Sequence, residues 1–204
     1  MHYDVTTLVV RPGTTPNALP RLEKWLRETP LGGKFLACWF SEIGALNQIL
    51  LIREYGDEPE ISVDRGLIMN GGNPYGVADL IDTMSSDTYA PFPFMPPMPI
   101  GAFGPFFEVR SYLLQTAGLA KTIKLWQAAV PDRARLSPLL AAMYSLSGGL
   151  PRLMHIWPYA SLDQRQSLRS EAVRTGVWPP PGGPDQLRAQ QADIFLAAGF
   201  SPIR

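Results

Sequence analysis

The chain is predicted to be an α+β protein of two tandem βαββαβ units, and three observations carry that expectation: an internal repeat, alternating strand patterns, and a proline-rich joint between the copies. The repeat is read from Ser41-Glu42-Ile43-Gly44-Ala45-Leu46-Asn47-Gln48-Ile49-Leu50-Leu51-Ile52-Arg53-Glu54-Tyr55, which returns as Gly148-Gly149-Leu150 through Pro158-Tyr159. Gly44 and Gly148, Leu46 and Leu150, Ile52 and Ile156, and Tyr55 and Tyr159 are identical pairs at a constant spacing of 104 residues. A chain of 204 residues accommodates two such units, each with a workable core.

Taken in order, His2 to Val10 alternates with Tyr3, Val5, Thr7 and Val9 on one face and Asp4, Thr6, Leu8 and Val10 on the other, which predicts a strand. Arg11-Pro12-Gly13 ends it. Thr15 as N-cap and Pro16 at the first helical position predict a helix to about Glu28, with Leu19, Leu22 and Leu26 on one face. Phe35–Glu42 and Asn47–Tyr55 read as a hairpin turning at Gly44, and Asp57–Asn70 as a helix with acidic residues at its start. A further helical piece is expected over Val77–Met84, then a short edge strand over Asp87–Pro91.

The second copy repeats this programme. Phe107, Val109 and Leu113 alternate with Glu108, Arg110 and Tyr112 along a strand, and Leu119, Ile123, Trp126 and Val130 form a helical stripe. Leu139–Leu146 and Leu150–Tyr159 are the next strands, and Ser161 with Gln164 predicts a capping box. Asp185–Ala192 is expected to be helical and Asp193–Leu196 a short strand. The units are assigned to 1–92 and 106–204. Residues 93–105, dense in proline, read as an extended linker, in preference to a ligand for a proline-binding module.

Composition narrows the function. With 46% hydrophobic and 18% charged residues the chain is globular, and 18 basic against 18 acidic residues provide no electrostatic footprint for nucleic acid or an anionic membrane surface. The longest apolar run, Ile49–Ile52, is far too short to span a bilayer. A lone Cys38 and the lack of a leader pattern lead us to expect a cytoplasmic location. Two distant histidines and one cysteine predict no metal site, and the glycine-rich phosphate loops and the nucleophile-elbow motif are absent, so no cofactor is expected.

Four pieces, in order, carry a family resemblance. They are Tyr3-Asp4-Val5-Thr6-Thr7 with Arg11-Pro12-Gly13-Thr14; Trp39-Phe40-Ser41-Glu42-Ile43-Gly44-Ala45-Leu46-Asn47-Gln48; Phe107-Glu108-Val109-Arg110-Ser111-Tyr112; and His155-Ile156-Trp157-Pro158-Tyr159. Together with the closing Phe200-Ser201-Pro202 they resemble the NIPSNAP family. The copies differ in places: the first has Leu51 and Arg53 where the second has His155 and Trp157. The resemblance implies ferredoxin-like units of the dimeric α/β-barrel superfamily, with sheets facing each other around a cavity. One chain would then build, as an intrachain pseudo-dimer, what relatives build from two. The family's biochemical activity is mostly unassigned.

Placing Phe107, Val109, Met154 and Ile156 against helices turns Glu108, Arg110 and Tyr112 toward the expected cavity, with His155, Trp157 and Tyr159 beside them. In this reading Arg110 would hold an anion or enolate oxygen, His155 would move a proton near neutral pH, and Tyr112 would donate to a carbonyl. Glu108, Trp157 and Tyr159 complete the candidate binding set. The bland alternative is an ion pair between Glu108 and Arg110 and a satisfied core histidine at 155. Three functions follow as expectations: a binder of a small, partly apolar molecule; a cofactor-free monooxygenase or isomerase, as in related barrels; or an interaction protein whose cavity is filled. A homodimer or higher oligomer is compatible with each.

Overall fold

In the computed structural model, which describes residues 1–204, the first copy contains β1 (His2–Val10), α1 (Thr15–Glu28), β2 (Lys34–Ile43), β3 (Gln48–Tyr55), α2 (Glu58–Asn70) and β4 (Ile81–Pro91). The second contains β5 (Phe106–Leu114), α3 (Leu119–Ala134), β6 (Ala141–Ser145), β7 (Arg152–Tyr159), α4 (Leu162–Arg174) and β8 (Leu187–Ala197). The βαββαβ order is therefore found twice. Local chemistry repeats with it. Asp57 accepts a hydrogen bond from the backbone N–H of Glu60 at 3.1 Å, and Ser161, 104 residues on, accepts one from that of Gln164 at 3.0 Å. Gly44 and Gly148 turn the two hairpins at φ 107° and 71°, a region costly for any residue with a Cβ.

Each copy forms a four-stranded antiparallel sheet, β4-β1-β3-β2 and β8-β5-β7-β6, and the sheets join edge to edge through β2–β8 and β4–β6. The result is one closed eight-stranded barrel with helices outside. Every strand has a neighbour on both sides, although β4 meets β6 only over Tyr89–Pro91 and β8 meets β2 only over Ile194–Ala197, so the first halves of β4 and β8 each keep one unpaired edge. No helix is long and apolar enough to cross a membrane.

Strand pairing corrects two expected helices. Ile81–Pro91 is an eleven-residue strand paired with β1 and β6, not a helix followed by a short edge strand, and only brief 3₁₀ turns at Pro74–Gly76 and Ala78–Leu80 precede it. Leu187–Ala197 is likewise one strand between β5 and β2. Leu187–Ala197 has a single β-branched residue, Ile194, and Ile81–Pro91 sets Ile81, Thr83 and Thr88 among the strand-disfavouring Asp82, Asp87 and Pro91. Pairing along nearly their whole length with β1 and with β5 overrides their weak local preference.

The barrel interior is packed with side chains, including Tyr3, Val5, Trp39, Leu50, Ile52, Phe107, Val109, Met154, Ile156 and Phe195. Trp39 and Phe107, one from each copy, stack there at 4.3 Å between ring centroids. Eight strands enclose a space that side chains can just fill. The expected cavity between the half-sheets is therefore occupied by core. The proline-rich segment does more than connect: Met98 is buried in this core, its N–H donating to the Tyr3 hydroxyl at 3.0 Å. Ile203 enters the same core, and its carbonyl accepts from the Trp39 indole at 2.9 Å.

Candidate functional site

The face assignment of β5 and β7 is the reverse of the expected one. Phe107, Val109, Met154 and Ile156 point into the barrel, while Tyr112 and Leu153 pack with Trp126 of α3 on the helix-covered side. The physical reason is that a closed barrel is dry throughout, whereas the layer under the helices admits polar groups where a helix supplies partners. On β5 and β7, the register pairs Arg110 with His155 and Glu108 with Trp157, so the six candidate residues remain neighbours. They meet under α3 and α4.

Arg110, Tyr112, His155, Trp157 and Tyr159 line one cavity of about 290 Å³, closed by Trp126 and Arg133 of α3, Arg169 and Ala172 of α4, and Trp178 of the segment after α4. Glu108 stands behind this wall. It is fully buried, and its Oε1 accepts from Arg110 and from Arg165, each at 2.6 Å, while Arg169 approaches its Oε2 at 3.6 Å. Burial favours the protonated acid, but the Arg165 hydrogen bond and the charges of Arg110 and Arg169 outweigh it and hold the carboxyl below its ordinary range. Glu108 thus anchors Arg110, Arg165 and Arg169. Arg110 also donates from Nε to the Tyr112 hydroxyl at 2.5 Å, leaving that hydroxyl its own proton to give.

The surroundings of His155 favour a hydrogen-bond donor over the expected proton carrier. The Trp157 indole N–H donates to its Nδ1 at 2.7 Å, and since an indole only donates, the ring proton of neutral His155 must sit on Nε2. Burial, then the charges of Arg110, Arg169 and Arg133, push its pKa well below the ordinary value. His155 is consequently a neutral donor at physiological pH, and its Nε2 has no hydrogen-bond partner within the protein. The Tyr159 hydroxyl also lacks one. Around these donors stand three indoles, Trp126 and Trp157 each meeting Trp178 edge to face, at 4.7 and 5.8 Å between centroids.

Sequence reasoning missed Arg133, Arg165 and Arg169. Arg133 is 2% exposed, lies 4.3 Å over the Trp157 ring, and donates to Ser137 at 2.7 Å. A signal was present: extending the stripe Leu119, Ile123, Trp126, Val130 by one step reaches an arginine on the buried face. Arg169 had one too, since it stands 104 residues after Arg65, and Arg65 pairs with Asp4 as Arg169 pairs with Glu108.

A closed eight-stranded α/β barrel with a helix-covered, aromatic- and arginine-lined pocket in one copy defines the class of protein. A family model, NIPSNAP, matches residues 3–96 and again 107–202, and the chain belongs to the NIPSNAP family as a tandem of two repeats. It is 25% identical over 166 residues to "Protein NipSnap homolog" of Dictyostelium discoideum, covering 79% of this chain and 73% of that protein. Two solved structures share the whole-chain fold. One, described as an anthrone oxidase-like protein, is 10% identical with a TM-score of 0.68, covering 97% of this chain and 91% of its own. The other, a candidate monooxygenase from Lactobacillus acidophilus, is 8% identical with a TM-score of 0.67, covering 96% and 92%. At these identities the likeness is one of fold.

Proposed function

We propose that this protein binds a small, partly apolar molecule in the pocket between the second sheet and α3 and α4. The observation that carries the reading is the unpartnered, fully buried Nε2–H of His155 in a cavity walled by Trp126, Trp157 and Trp178. A buried donor without an acceptor is costly, and an aromatic cavity with few polar groups is the usual form of a small-molecule site. Arg110 and Tyr112 would position an oxygen of the ligand, with Trp157 and Tyr159 as wall.

The enzyme alternative, a cofactor-free monooxygenase or isomerase, draws on fold likeness to the two solved structures. Against it, His155 offers no free basic nitrogen to take a proton, since its Nδ1 accepts from the Trp157 indole. The test is native mass spectrometry of protein purified from its own cells. We expect a non-covalent adduct that disappears in Ala172→Phe, which fills the pocket from α4. An adduct of equal abundance in that variant would move the binding site elsewhere.

A further inference from the structure

We infer that the ligand of this pocket carries a negative charge, a carboxylate or a phosphate on a flat apolar body, and that Arg133 receives it. The inference rests on the binding reading above and names its ligand class.

Charge balance at the site supplies the first argument. Arg110, Arg133, Arg165 and Arg169 gather around one carboxylate, Glu108, which pairs with Arg110, Arg165 and Arg169 and not with Arg133. Arg133 is the most buried of the pocket's three lining arginines, and its partners are a serine hydroxyl and an indole face; its Nε has no partner. A guanidinium so placed keeps its charge, and an anion is the group that offsets the cost of burying it. Planar, bidentate acceptors fit it best.

The second argument is convergence. Arg133, the Nε2–H of His155 and the hydroxyl of Tyr159 line the same cavity, and each retains hydrogen-bonding capacity that the protein does not use. All three can donate. His155 cannot accept at Nε2 in the tautomer set by Trp157, so the atom it meets must be an acceptor. Arg169, with its side chain 38% exposed, stands at the rim, where a cation attracts an incoming anion. The edge-to-face indoles then favour a flat, apolar remainder.

The test is calorimetric titration with three probes of one shape, 2-naphthoate, 2-naphthyl phosphate and neutral 2-naphthamide. We expect at least one anion to bind about tenfold or more tighter than the amide, the better anion identifying the head group. Arg133→Gln should abolish that preference and Arg133→Lys should keep much of it. Independently of whether Arg133→Gln folds, the Arg133 Nε–H resonance of the unmodified protein should shift with the preferred anion and not with the amide. Equal affinity for all three probes would overturn the charge inference and leave the binding reading standing. An anion preference with no Arg133 shift would overturn the assignment to Arg133. Binding of none would overturn both readings.

Discussion

Asp4 and Glu108 stand at the same point of the two repeats, each facing an arginine of its copy's second helix, yet their ionisation is pushed in opposite directions. Asp4 is nearly buried and has one counter-charge, Arg65, with hydroxyl support from Ser86 at 2.9 Å; burial wins and raises its pKa. Glu108 is more deeply buried but is flanked by three arginines, and its pKa falls. The same spacing governs the tyrosines. Tyr55 donates to Asp64 at 2.8 Å, whereas Tyr159, with Leu168 at the position equivalent to Asp64, has no partner. In the first copy Tyr75 is buried against Trp25 with its hydroxyl on Thr6 at 3.2 Å, leaving a smaller hollow of about 180 Å³ beside it. One copy satisfies these groups internally, and the other leaves donors facing a cavity.

The largest expected effect tests the acids. Glu108→Gln should cost about 3 kcal/mol in urea unfolding at pH 7, because it leaves the buried Arg110 without its carboxylate. Asp4→Asn should cost under about 1 kcal/mol, since burial already disfavours its charge and Arg65 can turn to water. Their pH dependence should diverge as well. The lowered pKa of Glu108 gives stability that is present above the ordinary carboxylate range and lost as pH falls through its folded value. The raised pKa of Asp4 has the reverse sign: its contribution is present below the ordinary range and lost as pH rises through its folded value. Equal costs for the two substitutions would break the comparison.

A smaller effect separates the tyrosines. Tyr55→Phe should destabilise by about 1–2 kcal/mol, because Asp64 loses a buried donor, while Tyr159→Phe should change stability by less than about 0.5 kcal/mol. Ligand binding should respond in the opposite order. The smallest effect is a silence: nuclear magnetic resonance of the imidazole nitrogens should show His155 still neutral, with its proton on Nε2, through the window around pH 6.5 where a free imidazole titrates. Titration within that window would restore it as a proton carrier.

The repeat period, the caps at Asp57 and Ser161, the hairpin glycines and the alternation along each strand were legible because each is a local property of spacing and residue type. So was the grouping of Glu108, Arg110 and Tyr112 with His155, Trp157 and Tyr159, since alternate residues on paired strands must share a face. Which face that would be was not legible. The interior of a closed ring is shut from water on every side, so it claims the purely apolar set, and the mixed set goes under the helices where α3 and α4 bring arginines. Only ring closure decided this; that Ile81–Pro91 and Leu187–Ala197 are strands was decided by long-range pairing with β1 and β5, whose hydrogen bonds outweigh what either segment prefers alone.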